Sequence, residues 1–563
     1  MLRPLAGFPR HEPLPAPAWT WLRVRRGDAL ALAGLTLAGL ALRLPLLARF
    51  PLREDEALYS YWALHALHDD PRFLTIWPDK PPIFLWLLGG VFALLGPSAP
   101  AGRWLSIVAS VLTIPLVAAG ARRLWGSSAA GLAAGLVYTL NPFALSFAPT
   151  VYTDPLLTLW GTLALVMALR RRAGWAGFWL GAAIMTKQQG LLYAPAVLAL
   201  AWGENIHRKG RKERKVQSRE GDGSRVWPLP LFPTPYSLFS VFSRPLRLTL
   251  FGMAAVVLPI LLWDSTRWAV APSPWDLATR TYAPLAFVPP ALWGPRALAW
   301  GQWIGYLAAS PAIWLLAVVT WGAASMGARR PTLAAWIIFG WAVGYVALHG
   351  VTTVQVWDRY LLPLAPIWAW LLAWPAARWA NAPPHSHMRR VLSILLLIGA
   401  LCLIPPGLAA ARGSLPIGGD HGDYAGLEEA MAWVAGRPDR QVLYHQSLGW
   451  HARFYLDGSI RQGKTELRWF PSSVYLADNA AKTPYPPAVL IVPDWATPPD
   501  LALHLALRGL ALRRELRAGR FTVYTLVHRP QAACGWCRSV SPAPISPVPA
   551  WPWAAMPAGM SRP

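Results

Sequence analysis

Residues 29–56 read ALALAGLTLAGLALRLPLLARFPLREDE, an apolar run from Ala29 to Leu47 followed by Arg53-Glu54-Asp55-Glu56. A run of that length suits ~30 Å of hydrocarbon, which takes about 20 residues of helix. Arg23, Arg25 and Arg26 precede it, and basic residues mark the cytoplasmic flank of a span. The amino terminus is therefore expected inside, and Glu54, Asp55 and Glu56 outside, in the first loop. Met1 to Trp21 is Pro-rich and polar, and the apolar run is too long for a signal core. It reads as a retained first span.

The rest of the chain repeats this pattern. Of 563 residues, 55% are hydrophobic and only 14% charged, with 34 Trp and a mean hydropathy of +0.33. Soluble domains carry about 25% charged residues, so the composition excludes an ordinary soluble globule. The net charge of +25 is gathered in particular loops. That placement reads as membrane topology, and no nucleic-acid partner is expected.

Charge parity counts about eleven transmembrane helices. After the first span come Trp104–Gly120, Ala129–Phe147, Leu156–Leu169, Trp175–Met185 and Leu191–Trp202. Then follow Leu248–Leu262, residues 300–324, Leu333–Leu348, Leu361–Trp374 and Val391–Leu408. Arg122-Arg123, Arg170 to Arg172, the Arg208–Lys215 cluster, Arg329-Arg330 and Arg389-Arg390 fall on the inner side in this count. Ile83–Leu95 breaks the parity. As a full span it would turn the basic loops outward, so it reads as a re-entrant or interface-lying helix in the first outer loop.

The expected organisation is a cytoplasmic segment 1–27, a membrane module 28–410 with its first outer loop at 49–102 and a basic cytoplasmic loop at 203–246, a small extracytoplasmic α/β domain at 411–530, and a disordered Pro/Ala-rich tail at 531–563. In the outer domain, Tyr424–Val434 has helical spacing. Gln441–His445, Ala488–Val492 and Phe521–Leu526 read as strands, and Leu503–Leu516 as an amphipathic helix. His445, His451, Arg453 and Asp457 gather at one end of its first unit. Cys534 and Cys537 form a lone CxxC in the tail, which supplies too few ligands for zinc.

With this topology the polar motifs land on one face. They are Glu54-Asp55-Glu56, Asp79-Lys80, Thr153-Asp154, Thr186-Lys187, Asp264 with Arg267, His349, and Asp358-Arg359-Tyr360. Lys80, Lys187 and Arg359 run against the rule that cations stay inside, and three such cations beside carboxylates suit a phosphate. A carboxylate among them can take a proton from an acceptor hydroxyl or amine, which then attacks a sugar C1. The leaving group would be a phosphate on a polyisoprenoid lipid, with the cations meeting its charge. Direct displacement inverts the anomeric carbon. Asp55, Glu56 and Asp154 are the candidate catalytic residues, Lys80, Lys187 and Arg359 the donor phosphate ligands, and Tyr59 and Tyr360 the substrate-binding aromatics.

These residues also carry a resemblance. The chain resembles the GT-C integral membrane glycosyltransferases of the protein O-mannosyltransferase and lipid A aminoarabinose transferase group, over roughly residues 30–375. The motifs are Asp55-Glu56 with Tyr59, Lys80-Pro81-Pro82 with Trp86, Gly102-Arg103, Thr153-Asp154, Thr186-Lys187, and Arg359-Tyr360 with Pro363. In order and on one face, they outweigh any one of them alone. The resemblance implies a GT-C fold, a polyprenyl-phosphate sugar donor, a protein or lipid acceptor, a cell-membrane location with the site facing outward, and Asp55 as the base. It places the Lys-Pro-Pro helix at the interface. The chain departs at Gln188-Gln189-Gly190, where the family more often has glycine directly after the lysine.

No cofactor is required by this reading. Asp55, Glu56 and Asp154 could hold a divalent cation, or Lys80 and Lys187 could supply the charge without one. The alternative function is a transporter or flippase, which favours charges in mid-membrane and paired inverted repeats; neither pattern is present in the sequence. A non-catalytic scaffold leaves the outer charges without a role.

Overall fold

The computed structural model describes residues 26–202, 244–282, 286–326, 331–418, 422–482 and 487–528. Most of the amino-terminal segment, the Arg208–Lys215 cluster, Arg329-Arg330 and the tail with Cys534 and Cys537 lie outside the described residues.

The membrane module is helical. It opens with α1 (Arg26–Arg43), α2 (Glu54–His68), α3 (Ile83–Leu95), α4 (Ala99–Trp125), α5 (Ser128–Leu140), α6 (Pro142–Ser146), α7 (Asp154–Leu169), α8 (Ala173–Thr186) and α9 (194–202). It continues with α10 (Arg244–Ser265), α11 (Pro274–Tyr282), α12 (Trp293–Leu307), α13 (Pro311–Met326), α14 (Leu333–Val351), α15 (Ala365–Leu372), α16 (Trp374–Asn381) and α17 (His387–Ala411). Residues 188–193 and 358–364 form 3-10 turns ahead of α9 and α15.

This corrects the count of eleven spans. Among the described residues, five helical segments are long and apolar enough to cross a membrane: α4, α10, α14, Asp358–Asn381 and α17. Residues 300–324 do not run straight, because α12 and α13 meet at an 89° bend, and that pair would make a sixth span. The other expected spans are short. Asn141 and Pro142 stop α5 at 13 residues, α7 has 16 and α8 has 14. At 1.5 Å per residue these reach roughly 20–24 Å, less than the ~30 Å hydrocarbon layer. Charge parity detects each change of side but not how much chain is helical between changes. The 13-residue α3 forms where an isolated short helix was expected, between Pro82 and Gly96.

Small residues let helices touch backbone to backbone. A Cβ at Gly177 would lie 1.8 Å from the Thr249 carbonyl oxygen, and one at Gly252 only 2.0 Å from that of Gly174. Glycine is required at both, and it locks α8 against α10. A larger core gathers α4, α5, α7, α8 and α15 around Trp370, whose indole donates to the Val117 carbonyl.

The carboxyl-terminal unit is a five-stranded sheet in the order β2-β1-β3-β5-β4, made of β1 (Gln441–His445), β2 (Thr465–Trp469), β3 (Ala488–Pro493), β4 (Leu510–Ala518) and β5 (Phe521–His528). Strands β2, β1 and β3 are parallel, with Gln441 beside Thr465 and Val442 beside Ala488; β5 and β4 join antiparallel. Apolar clusters cover both faces. One holds Leu427, Met431 and Val434 of α18 (Leu427–Ala435) with Ala452 of α19 (Gly449–Tyr455). After α20 (Asp457–Arg461), α21 (Ser473–Lys482) and α22 (Leu501–Leu507) bring Leu476, Ala480 and Leu505 to the other.

Two local readings change here. The helix expected over Leu503–Leu516 ends at Leu507, because Gly509 takes φ +70° and turns the chain into β4. The arginines at 513, 514 and 517 then stand on an edge strand, where charge discourages pairing with another chain. Strand β2, TELRW, carries too little apolar alternation to be read and is held by its parallel neighbour.

Candidate active site

The site forms where the chain reverses at one end of the bundle. The α2 amino terminus brings Asp55 and Tyr59; the segment ahead of α3 brings Asp79 and Lys80. Asp154 opens α7, Lys187 follows α8, Tyr282 ends α11, and Arg359 and Tyr360 stand in the 3-10 turn before α15.

Asp55 is the half-buried member, its side chain 29% exposed, and its Oδ2 accepts a 2.6 Å hydrogen bond from Arg359 Nη1. Burial alone would push this carboxyl up, but Arg359 foremost, then Lys80 and Arg53, hold it below the usual carboxylate range. Arg359 lies over Trp357 at 4.2 Å and Tyr152 at 4.9 Å, and its buried Nε has no protein partner among the described residues. A buried guanidinium N–H left open in this way can still donate one hydrogen bond.

Lys187 Nζ donates to Asp154 Oδ1 at 2.6 Å and stands 4.6 Å from the Tyr360 ring centre. Burial, opposed by Asp154, pulls this ammonium down to about 8. Lys80 Nζ donates to Asp79 Oδ2 at 2.6 Å and to the Tyr282 hydroxyl at 2.8 Å. The Gln188 amide ties the two lysine segments together, donating to the Asp79 carbonyl at 2.7 Å. Tyr59 is buried in the wall against Trp62 and Phe84. His349 stacks on Tyr345, whose hydroxyl donates to the Tyr360 carbonyl at 2.6 Å.

The structure thus brings Asp55, Tyr59, Lys80, Asp154, Lys187, Arg359 and Tyr360 together. Glu56 is turned away from them. It accepts from the backbone N–H of Val151 at 2.8 Å and of Arg53 at 3.0 Å, and faces Arg103 at 3.4 Å. Arg103 in turn donates to the carbonyls of Leu47, Phe50 and Pro51. Asp264 and Arg267 pair at 2.8 Å, and Arg267 clamps the Phe73 carbonyl. The three candidate cation ligands Asp55, Glu56 and Asp154 have separate partners, and among the described residues no three His, Cys, Asp or Glu side chains gather for a metal. Tyr282 was missed because a tyrosine in a Trp/Pro-rich loop has no spacing to distinguish it. Gln188 and Gln189 showed only as a departure from the family pattern. Gly190 is the residue that needs to be small, since its Cβ would meet Ala183 at 2.4 Å.

The carboxyl-terminal unit reaches the site through the extended segment ahead of α2, at Leu52. The Leu52 N–H donates to the Tyr455 hydroxyl at 3.0 Å, and the Leu52 carbonyl accepts from His451 Nε2 at 3.0 Å. Trp450 packs on Tyr61 at 5.8 Å, and His68 faces Asp457 at 3.3 Å. Both polar backbone groups of a residue three positions before Asp55 are therefore held by α19.

Burial lowers both His445 and His451 from 6.5 to about 4. An unfolded histidine takes its proton near pH 6.5, these two only near 4, so the unfolded chain binds more protons in between. Stability is expected to fall as pH drops from about 6.5 to about 4, by roughly 3 kcal/mol for each histidine. Melting of the purified protein followed between pH 7 and 4 checks this, with the fall reduced in His451→Gln. A flat melting temperature would refute it.

The fold defines a polytopic, largely helical membrane protein with a small carboxyl-terminal β/α unit. The family profile for dolichyl-phosphate-mannose-protein mannosyltransferase matches residues 79–217. An undecaprenyl phosphate-alpha-4-amino-4-deoxy-L-arabinose arabinosyl transferase of Pseudomonas savastanoi pv. phaseolicola (strain 1448A / Race 6) is 28% identical over 252 residues, 44% of this chain. That similarity spans 41% of the relative's length. Among solved structures, the fold is similar to that of ArnT from Cupriavidus metallidurans bound to undecaprenyl phosphate, with a TM-score of 0.59 and 17% identity over 89% of this chain and 98% of that one. The apo state of the same ArnT gives 0.59 at 16% identity, with the same coverage.

Proposed function

We propose that the protein is an inverting glycosyltransferase that takes a sugar from a polyprenyl-phosphate carrier and passes it to a lipid or protein acceptor on the extracytoplasmic face of the cell membrane. The observation that carries this reading is the Asp55–Arg359 pair, a carboxylate and a buried cation with an open N–H side by side, close to the cations Lys80 and Lys187. The names of the relatives above, both in sequence and in fold, support the same class of donor.

In this mechanism Asp55 accepts the proton of the acceptor hydroxyl or amine as that atom bonds to the sugar C1. The C1–O bond to the phosphate breaks, the electron pair leaves with the carrier phosphate, and the anomeric configuration inverts. Arg359, Lys80 and Lys187 meet the charge that collects on the leaving oxygen. Donor binding has a second consequence. A phosphate that draws Arg359 from Asp55 removes the main influence holding that carboxyl down, so the base strengthens once the donor is in place. Tyr59 and Tyr360 flank the charged groups, and Glu56 positions the loop.

The cations give the test. Replacing Lys80 with Met is expected to weaken donor-lipid binding about tenfold or more, as the loss of a charged hydrogen bond of about 1.5–3 kcal/mol requires. In the wild type, donor affinity should fall as pH rises through about 8, where Lys187 loses its proton. Lys187→Arg should move that fall to higher pH. Donor affinity unchanged in Lys80→Met and flat from pH 7 to 9 would remove the phosphate assignment.

A further inference from the structure

At the opposite end of the bundle, a cleft of about 410 Å³ opens between α5, α13, α15–α16 and α17, walled by residues such as Ala133, Leu136, Ile313, Leu372, Leu396 and Gly399. Its α17 wall runs from Ser393 to Leu403, about 15 Å at 1.5 Å per residue. A void of this size among apolar side chains forfeits dispersion contacts along its whole lining, so hydrocarbon must fill it in a bilayer.

One end of the cleft is polar and basic. The Trp379 indole forms its wall there and donates to Ser393 Oγ at 2.9 Å. The Arg389 guanidinium lies 4.8 Å from the Trp379 ring centre, and Arg378 lies 5.6 Å from that of Trp374. Arg390 is exposed beside them. From Arg359 to Gly419 the sequence contains no Asp or Glu, and among the described residues no carboxylate pairs with Arg378, Arg389 or Arg390. This is the end that positive-inside counting assigns to the cytoplasm.

We propose that this cleft binds an anionic phospholipid of the inner leaflet, with one acyl chain between α5 and α17 and its phosphate on Arg389 and Arg390. A neutral lipid would fill the cleft equally well, but it would leave Arg378, Arg389 and Arg390 without a counter-charge among the described residues. Basic pockets between membrane helices on the cytoplasmic side select anionic headgroups for this reason.

The test uses the full chain purified in a neutral maltoside detergent and titrated, by native mass spectrometry, with phosphatidylglycerol and with phosphatidylcholine of identical acyl chains. Phosphatidylglycerol is expected to bind about tenfold more tightly, as one to two arginine contacts of about 1 kcal/mol each imply. Combined Arg389→Gln and Arg390→Gln should erase that preference. Ala400→Phe, which places a ring in the cleft, should weaken both lipids, with the melting temperature confirming that each variant is folded. Equal affinity for the two lipids, an undiminished preference in the double variant, or displacement of phosphatidylglycerol by undecaprenyl phosphate would each overturn the assignment.

Discussion

Asp55→Asn is expected to abolish transfer while leaving donor binding intact. The substitution keeps the shape of the side chain and removes only its ability to take a proton, which is worth about 10²–10⁴-fold in a general-base step. Arg359 keeps a hydrogen-bonding partner in the amide but loses the opposing charge, so its guanidinium is freer for phosphate. Donor affinity should therefore stay level or tighten, the reverse of what Lys80→Met should show. Measured turnover and donor-lipid affinity for the same preparation separate the roles. Turnover within tenfold of wild type would remove Asp55 as the base.

Arg103→Met is expected to have the largest effect on stability. Arg103 and Glu56 are both buried, and between them they hold three backbone carbonyls and two backbone N–H groups of the segments that frame α2. Removing one partner of a buried pair leaves the other charge uncompensated, at about 3–5 kcal/mol. The melting temperature in detergent and the folded yield should both fall sharply. Adding Glu56→Gln should recover part of the loss, because the stranded carboxylate is then gone. If Arg103→Met melts with the wild type, the pair is not what holds the loop.

The positioning of Asp55 thus has two supports, one inside the bundle and one from the carboxyl-terminal unit. Arg103 and Glu56 fasten the loop from within, while His451 and Tyr455 grip both sides of Leu52 from α19. The acid sensitivity expected of His451 acts on this second support. A protonated His451 would have to give up burial beside Leu52, three residues from the proposed base.

Much of the candidate site was legible before the structure because membrane physics makes cations rare on the outer side. Lys80, Lys187 and Arg359 stood out for that reason alone, and the chain does bring them to one end of the bundle. Glu56 was not legible in the same way. Adjacent carboxylates look equivalent in a string, yet successive positions on a helix point about 100° apart, which sends Asp55 to Arg359 and Glu56 to Arg103. The structure that sets their difference is 47 residues away, in α4.

What the sequence determined by itself was therefore local and compositional. Apolar runs, basic loops and the strands at Gln441–His445 and Ala488–Val492 follow from hydropathy and charge, which each segment carries regardless of its neighbours. The number of full spans did not follow, because it depends on where Asn141-Pro142 stops α5 and on the bend between α12 and α13. Nor did β4, since Leu510–Ala518 takes its conformation from Gly509 and from pairing with β5. Tertiary structure alone decided the partners of the charges: Asp55 with Arg359, Asp154 with Lys187, Glu56 with Arg103. Each pair joins residues from segments far apart in the chain, and a hydrogen bond of 2.6 Å between positions 304 apart has no signature in the intervening chain.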